Sequence, residues 1–201
     1  MFARPFLTTS TGNSVVRYQV HGRGTPLVLI HGLAGSTVCW RRNTSALSQH
    51  YSVYLVDLPG FGCMRKYGRE FSIETAAEWL RAFLDAVKLE TVDLIAHSMG
   101  ALITAMFAAR WPERVKKIVL AAPAIALPRT GIAAHLVPVA RETLYFRPTF
   151  LPFATFDACR TGLPLLLRAG REILNADVSR ALSNIRSSCL LVWGERDRLV
   201  P

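Results

Sequence analysis

The stretch LIAHSMGAL, Leu94 to Leu102, decides the fold class of this sequence. It joins a short apolar run to a segment with helical periodicity, and it places one serine, Ser98, at the junction. The residues two before and two after this serine are Ala96 and Gly100, both small. A serine on a sharp strand-to-helix turn is held in a strained backbone conformation that requires small neighbours at these two positions. The pattern therefore predicts a turn that projects the Ser98 hydroxyl outward.

The chemistry expected of this turn depends on the amide that follows the serine. The N–H of Met99 is predicted to lie at the amino end of the next helix, where unpaired amides and the helix dipole favour a developing negative charge. With the outward hydroxyl, this is the arrangement of a nucleophile beside half of an oxyanion hole. The alternative is that Ser98 caps the helix through its side chain, as serines often do. The stretch alone does not separate the two interpretations.

Outside this stretch, short apolar runs alternate with helical patterns, which is typical of parallel βα units. Strands are predicted at residues 15–20, 26–32, 51–57, 92–97, 114–122 and 189–194. Helices are predicted at residues 40–49, 73–87 and 99–110, with Ser72 as the cap of the second. This order of elements predicts an α/β fold with a doubly wound, mostly parallel sheet.

The pattern changes in the second half of the chain. Residues 124–187 contain five prolines and eight arginines against four acidic residues, without a clear buried strand. We therefore predict a helical cap at 124–187, inserted into a core domain that spans 1–123 and continues at 188–201.

Composition narrows the class of protein. The net charge is +10, but the basic residues are dispersed and no helix-turn-helix, zinc-finger or RNA-binding motif accompanies them, so no nucleic-acid partner is expected. No apolar run reaches the roughly 20 residues needed to span a membrane, and the first residues lack a signal-peptide pattern, which predicts a cytoplasmic protein. The four cysteines are scattered without the spacing of metal ligands, so we expect reduced thiols, no metal and no cofactor.

A second candidate for a functional loop is the glycine-rich stretch HGLAG, His31 to Gly35, which follows a predicted buried strand. Gly32 and Gly35 allow this backbone to turn tightly and to approach a ligand. The amide of Leu33 is therefore a candidate for the second oxyanion donor.

Five motifs resemble, in order and over nearly the whole chain, those of the α/β-hydrolase fold family in its serine hydrolase branch. They are HGLAG, DLPGFG, AHSMG, PERVKKIVL and WGERDRLVP. The resemblance implies Ser98 as nucleophile, Asp197 as the triad acid, and the amides of Leu33 and Met99 as the oxyanion hole. A serine at this turn argues against the dehalogenase and epoxide-hydrolase branches, which use carboxylate nucleophiles. One departure is Ala96, where the family most often has glycine, and alanine is small enough to fit.

A serine nucleophile needs a base, normally a histidine held by an acid. In the family this histidine lies one helix and one strand after the Asp197 strand, so we expect it beyond Pro201, with the last βα unit missing from the 201 residues. His97 is predicted to point away from Ser98 and to be structural, and His31 to stabilise its loop. Loss of one triad member typically removes roughly a millionfold in turnover, so the 201 residues alone should be nearly inactive.

His135 lies in the predicted cap, which is a poor platform for a base because a lid moves. The cap is also rich in apolar side chains, which predicts a small or medium hydrophobic acyl substrate. Its phenylalanines and arginines are compatible with contact to an anionic membrane surface as well.

The resemblance implies hydrolysis of carboxylic esters or related acyl substrates through an acyl-enzyme. A carbon–carbon bond hydrolase, an aminopeptidase or a perhydrolase would share every motif. A non-catalytic binding protein on the same scaffold, ending near Pro201, is the alternative from another class. The sequence leaves these alternatives, the exact substrate and the oligomeric state open.

Overall fold

A computed structural model of the protein describes residues 6–11, 14–67, 70–125, 148–195, 197 and 200. These residues form one seven-stranded sheet with helices. The strands are β1 (Leu7–Thr11), β2 (Ser14–His21), β3 (Thr25–Ile30), β4 (Tyr51–Val56), β5 (Val92–His97), β6 (Val115–Ala121) and β7 (Ser188–Val192). The helices are α1 (Thr44–Leu47), α2 (Ile73–Ala86), α3 (Met99–Arg110), α4 (Leu151–Thr161), α5 (Leu163–Asn175) and α6 (Ser179–Ser183). Short 3₁₀ helices span Thr37–Trp40, Gly62–Tyr67 and Pro112–Arg114.

The strand order is β1-β2-β4-β3-β5-β6-β7. The pairs β1–β2 and β2–β4 are antiparallel, and the other four pairs are parallel. The predicted α/β class with a mostly parallel sheet is therefore confirmed. From β3 the chain adds β4 on one side and β5, β6 and β7 on the other, so the strand order reverses between β3 and β5. Open α/β sheets bind ligands at such a reversal, outside the carboxyl ends of the strands.

Side chains that alternate along β3 and β4 form a core on each face of the sheet. Val28 and Ile30 belong to the larger core, which also contains the buried faces of α2 and α3. Leu27 and Leu29 belong to a smaller core on the opposite face, with Trp40. Both faces of the central strands are thus covered, which explains why their sequences are almost continuously apolar.

Helix α2 begins where the sequence predicts. The Ser72 side chain accepts a hydrogen bond from the Thr75 amide at 3.0 Å, and the Thr75 hydroxyl accepts one from the Ser72 amide at 2.9 Å. This reciprocal pair satisfies two amides that a helix start would otherwise leave without an acceptor. Helix α3 spans the residues predicted for it.

The helix predicted at 40–49 is confirmed only in part, because the α-helix is limited to α1 (Thr44–Leu47) and follows the separate 3₁₀ helix Thr37–Trp40. The Ser36 side chain accepts from the Val38 amide, and the Thr44 hydroxyl donates to the Trp40 carbonyl at 2.8 Å. Such local side-chain bonds compete with a continuous helix. The sequence analysis also missed β1, an edge strand that is rich in threonine and pairs with β2.

The described part of the predicted cap, 148–187, contains α4, α5 and α6, while residues 126–147 lie outside the described residues. Strand β7 follows and is parallel to β6, and all five of its residues are exposed. Within the described ranges, no helix is long and apolar enough to cross a membrane. The domain boundaries at 123 and 187 remain predictions.

Candidate active site

Ser98 joins β5 to α3 in a strained conformation, with φ 52° and ψ −118°. Residues other than glycine rarely adopt a positive φ, and the cost is of order 1–3 kcal/mol. The Ser98 amide donates to the Ala121 carbonyl of β6 at 3.0 Å, and the Ser98 carbonyl accepts from the Ala101 amide at 3.0 Å. The side chain makes no capping hydrogen bond to α3. The alternative that Ser98 serves as a side-chain cap is therefore wrong.

Gly100 is required by close packing of the turn against the end of β3. A Cβ atom at this position would lie 2.5 Å from the His31 carbonyl oxygen and 2.7 Å from the Ile30 carbonyl oxygen. Ala96, on the other side of Ser98, is completely buried. Gly100 thus has no space for a side chain, and Ala96 is enclosed by other protein atoms.

The HGLAG loop lies directly against this turn. A Cβ on Gly32 would lie 3.0 Å from the Cβ of Ser98 and 3.0 Å from Nδ1 of His97. The Gly35 amide donates to the Gly32 carbonyl at 3.2 Å, which closes a turn around Leu33. The backbone of the loop at Gly32 therefore packs directly against Ser98 and His97.

The two amides predicted as oxyanion donors have no partner in the part of the chain that the structure describes. Neither the Leu33 N–H nor the Met99 N–H donates a hydrogen bond to a described residue. Leu33 follows β3 and Met99 begins α3 after β5, so both amides lie beyond the carboxyl ends of the two strands at the reversal of strand order. The role of these two amides as oxyanion donors remains a prediction.

His31 is fully buried, and both of its ring nitrogens are engaged. Nε2 accepts from the Leu58 amide at 3.0 Å, and Nδ1 lies 2.9 Å from the Gly32 carbonyl, to which it donates in the neutral tautomer that these partners assign. Burial lowers the pKa of His31, with the nearby Asp57 carboxylate opposing this effect. His31 therefore lacks a free nitrogen to act as a base and instead connects two loops.

Asp57 is a buried residue to which the sequence analysis assigned no role. Its Oδ1 accepts from the Thr37 amide and its Oδ2 from the Cys63 amide, both at 2.7 Å. Gly62, with φ 50°, lies so close that a Cβ would collide with the carboxylate. Asp57 thus holds the segment after HGLAG against the DLPGFG loop. The signal was a carboxylate directly after a buried apolar strand.

His97 and Asp197 lie at the carboxyl ends of β5 and β7. The His97 side chain is exposed, yet protein atoms around its ring lower the pKa of His97 by desolvation, and the Asp197 carboxylate opposes this shift. Asp197 follows β7 in a turn, where its Oδ1 accepts from the Val200 amide at 2.9 Å and its amide donates to the Gly194 carbonyl at 3.0 Å. Asp197 therefore lies within electrostatic range of His97, and its role as the triad acid remains a prediction.

The apolar residues predicted to line the pocket are only partly described. Phe153 and Phe156 on α4 are exposed, at 42% and 60%, whereas Leu165 on α5 packs against the larger core. His135 lies outside the described residues. Among those described, no group of three or more His, Cys, Asp or Glu side chains is placed to hold a metal ion.

Comparison with protein families identifies the fold. Residues 25–162, more than half of the chain, match the model of the alpha/beta hydrolase fold family. The chain belongs to the α/β-hydrolase fold family. The solved structure of the enol-lactonase from Burkholderia xenovorans LB400 superposes on this α/β-hydrolase with a TM-score of 0.81 at 19% identity, covering 95% of this chain and 81% of that one. At that identity, the similarity shows the fold alone.

Two relatives are more similar in sequence. The 2-hydroxy-6-oxo-2,4-heptadienoate hydrolase of Pseudomonas putida is 37% identical over 103 residues, or 49% of this α/β-hydrolase and 37% of the relative. The (E)-2-((N-methylformamido)methylene)succinate hydrolase of Acinetobacter baylyi is 32% identical over 108 residues, or 54% of this chain and 41% of the relative. The chain thus spans about two fifths of the length of these relatives.

Proposed function

We propose that this α/β-hydrolase hydrolyses carboxylic esters or related acyl substrates through an acyl-enzyme on Ser98. The observation that carries the proposal is the strained conformation of Ser98, whose side chain does not cap α3. Strain of this kind persists only where the surrounding structure enforces it, and it is concentrated at functional sites. The Leu33 and Met99 amides, without partners among the described residues, supply the complementary electrostatics.

In the proposed reaction, the Ser98 Oγ attacks the acyl carbonyl while a histidine takes the hydroxyl proton. The carbonyl oxygen becomes an oxyanion that the Leu33 and Met99 amides stabilise, and loss of one such donor typically costs about 10²–10³-fold in turnover. The histidine then protonates the departing alkoxide, and water hydrolyses the acyl-enzyme by the same steps. Asp197 is the proposed acid that orients this histidine. Both ring nitrogens of His31 are occupied, so the proposed base is a histidine other than His31.

The test uses the protein expressed from its complete reading frame. Wild-type protein should hydrolyse p-nitrophenyl butyrate and react covalently with a fluorophosphonate probe. Ser98→Ala should abolish both signals, whereas Ser45→Ala, which changes an exposed serine in α1, should alter neither. Ester turnover that persists in Ser98→Ala would refute the assignment, and a folded wild type without turnover or labelling would refute acyl chemistry on esters.

The second candidate is a carbon–carbon bond hydrolase that acts on a 2-hydroxy-6-oxo-dienoate. The 37% identity to the hydrolase of Pseudomonas putida named for such a compound favours it. The same protein preparation should then consume 2-hydroxy-6-oxo-2,4-heptadienoate, as followed by its ultraviolet absorbance, with a higher kcat/KM than for the butyrate ester. A higher kcat/KM for the ester would favour the first candidate.

A further inference from the structure

A buried hydrogen bond connects the cap to the residue that directly follows the HGLAG loop. Ser36, the residue after this loop, donates from Oγ to Oδ2 of Asp157 on α4 at 2.5 Å. Ser36 is 3% exposed and Asp157 is 6% exposed, although they are 121 residues apart in the chain. A hydrogen bond to an ionised carboxylate is about twice as strong as a neutral one, and low exposure preserves that strength.

The segment that contains Ser36 and Thr37 bonds to two buried carboxylates, one in the cap and one in the core. The Thr37 amide donates to Asp57 of the core at 2.7 Å, directly after the residue that donates to Asp157 of the cap. Immediately before them, the Gly35–Gly32 hydrogen bond closes the turn that contains Leu33. Two buried carboxylates, Asp57 of the core and Asp157 of the cap, therefore hold the residues that directly follow this turn.

We propose that Asp157 is a positioning residue, which acts through Ser36 to hold the loop that presents the Leu33 amide. The oxyanion hole is then fully formed only when α4 is seated on the core. This inference rests on the proposed acyl chemistry, because it gives the Leu33 amide a function in the transition state. The cap thus contributes to turnover as well as to covering the site.

Other contacts attach the cap without touching the HGLAG loop. Arg160 donates to the Gly62 carbonyl at 2.9 Å, and Arg42 donates to the Thr149 hydroxyl at 2.9 Å. The Arg41 guanidinium lies 4.2 Å from the centre of the Phe153 ring. These contacts remain when Asp157 is replaced, so the cap should stay on the core. Thr149→Val supplies a matched control, since it removes a cap–core hydrogen bond remote from the loop.

The experiment uses the protein from its complete reading frame, with p-nitrophenyl butyrate as substrate and butylboronic acid as a tetrahedral mimic bound by Ser98. Asp157→Ala should lower kcat by about 10- to 100-fold with KM changed less than about threefold, because a displaced oxyanion donor acts mainly in the transition state. Affinity for butylboronic acid should fall by a similar factor. Asp157→Asn, which keeps an acceptor oxygen for Ser36, should recover most of the loss. Thr149→Val should change each value by less than about twofold.

A double-mutant cycle tests whether Asp157 acts through Ser36. Ser36→Ala and Asp157→Ala should lower kcat by similar factors, and the double variant should lose no more than either single variant. Additive losses, an increase in KM at constant kcat, or equal effects of Asp157→Ala and Thr149→Val would overturn the inference. If Asp157→Ala does not fold, Asp157→Asn and Ser36→Ala decide the matter. Failure of the proposed function is distinguishable, because it appears in the comparison of wild type with Ser98→Ala.

Discussion

Strands β5 and β7 each precede a residue predicted to be catalytic, but their surroundings differ. β5 lies inside the sheet between β3 and β6, and four of its six residues are buried. β7 lies at the edge of the described sheet, paired with β6, and all five of its residues are exposed. Ser98 therefore follows a strand that has neighbours on both sides, whereas Asp197 follows a strand that pairs on one side within the described sheet.

The different surroundings of Ser98 and Asp197 match the different ways in which their backbone conformations are maintained. Ser98 has a strained backbone, which persists only where its neighbours allow no alternative. Asp197 lies in a turn that short-range bonds define, since Trp193 Nε1 also donates to the Val200 carbonyl at 2.9 Å. The backbone of Ser98 is thus held by contacts with neighbouring strands, such as its bond to Ala121 of β6. The backbone around Asp197 is held mainly by hydrogen bonds within the turn after β7.

The largest expected effect is on the β5 side, at Gly100. Gly100→Ala would place a Cβ 2.5 Å from the His31 carbonyl oxygen, so the backbone must move and the free energy of unfolding should fall by about 3 kcal/mol or more. Gly194→Ala after β7 is the matched control, because the nearest atom to its Cβ would be 3.9 Å away. We expect it to change stability by less than about 0.5 kcal/mol in urea unfolding. Equal losses would contradict the contrast between the two strands.

The next effect compares buried and exposed leucines on the same two strands. Leu94 of β5 is 1% exposed and Leu191 of β7 is 51% exposed. Leu94→Ala should cost about 3 kcal/mol through lost burial and a cavity, and Leu191→Ala less than about 1 kcal/mol. Urea unfolding measures both. Equal losses for Leu94→Ala and Leu191→Ala in the 201-residue chain would contradict the contrast between the two strands.

The sequence predicts the parts of the site that depend on local chemistry. The small residues around Ser98 predicted the strained turn, and Ser72 marked the start of α2, because steric limits and capping act over a few residues. The helix predicted at 40–49 is interrupted because the Thr44 and Ser48 side chains bond to nearby backbone carbonyls, which apolar periodicity does not reveal. β1 was missed because an edge strand rich in threonine lacks the apolar run that identifies buried strands.

Contacts between distant segments were outside the reach of the sequence analysis. No local pattern indicates that Ser36 bonds to Asp157, since the partner is 121 residues away in a segment without motifs. Asp57 could have been found, because a carboxylate that ends a buried strand must satisfy its oxygens, and glycine at position 62 leaves space for it. The roles predicted for Asp197 and the oxyanion amides remain for experiment to test.

The smallest expected effect is a change in the pKa of His97 when Asp197 is replaced. It tests whether the turn after β7 lies near the Ser98 turn. Desolvation lowers the pKa of His97, and the Asp197 carboxylate opposes this by stabilising the imidazolium. Asp197→Asn removes that stabilisation, so the pKa of His97 should fall further below its ordinary value in a proton NMR titration from pH 8 to pH 4. Asp85→Asn is the control, because Asp85 pairs with Arg114 before the amino end of β6, whereas His97 ends β5 at the carboxyl side, so it should leave the titration unchanged. An unchanged His97 pKa in Asp197→Asn would mean that β7 does not bring its aspartate to the nucleophile, and the triad acid would then lie elsewhere in the protein.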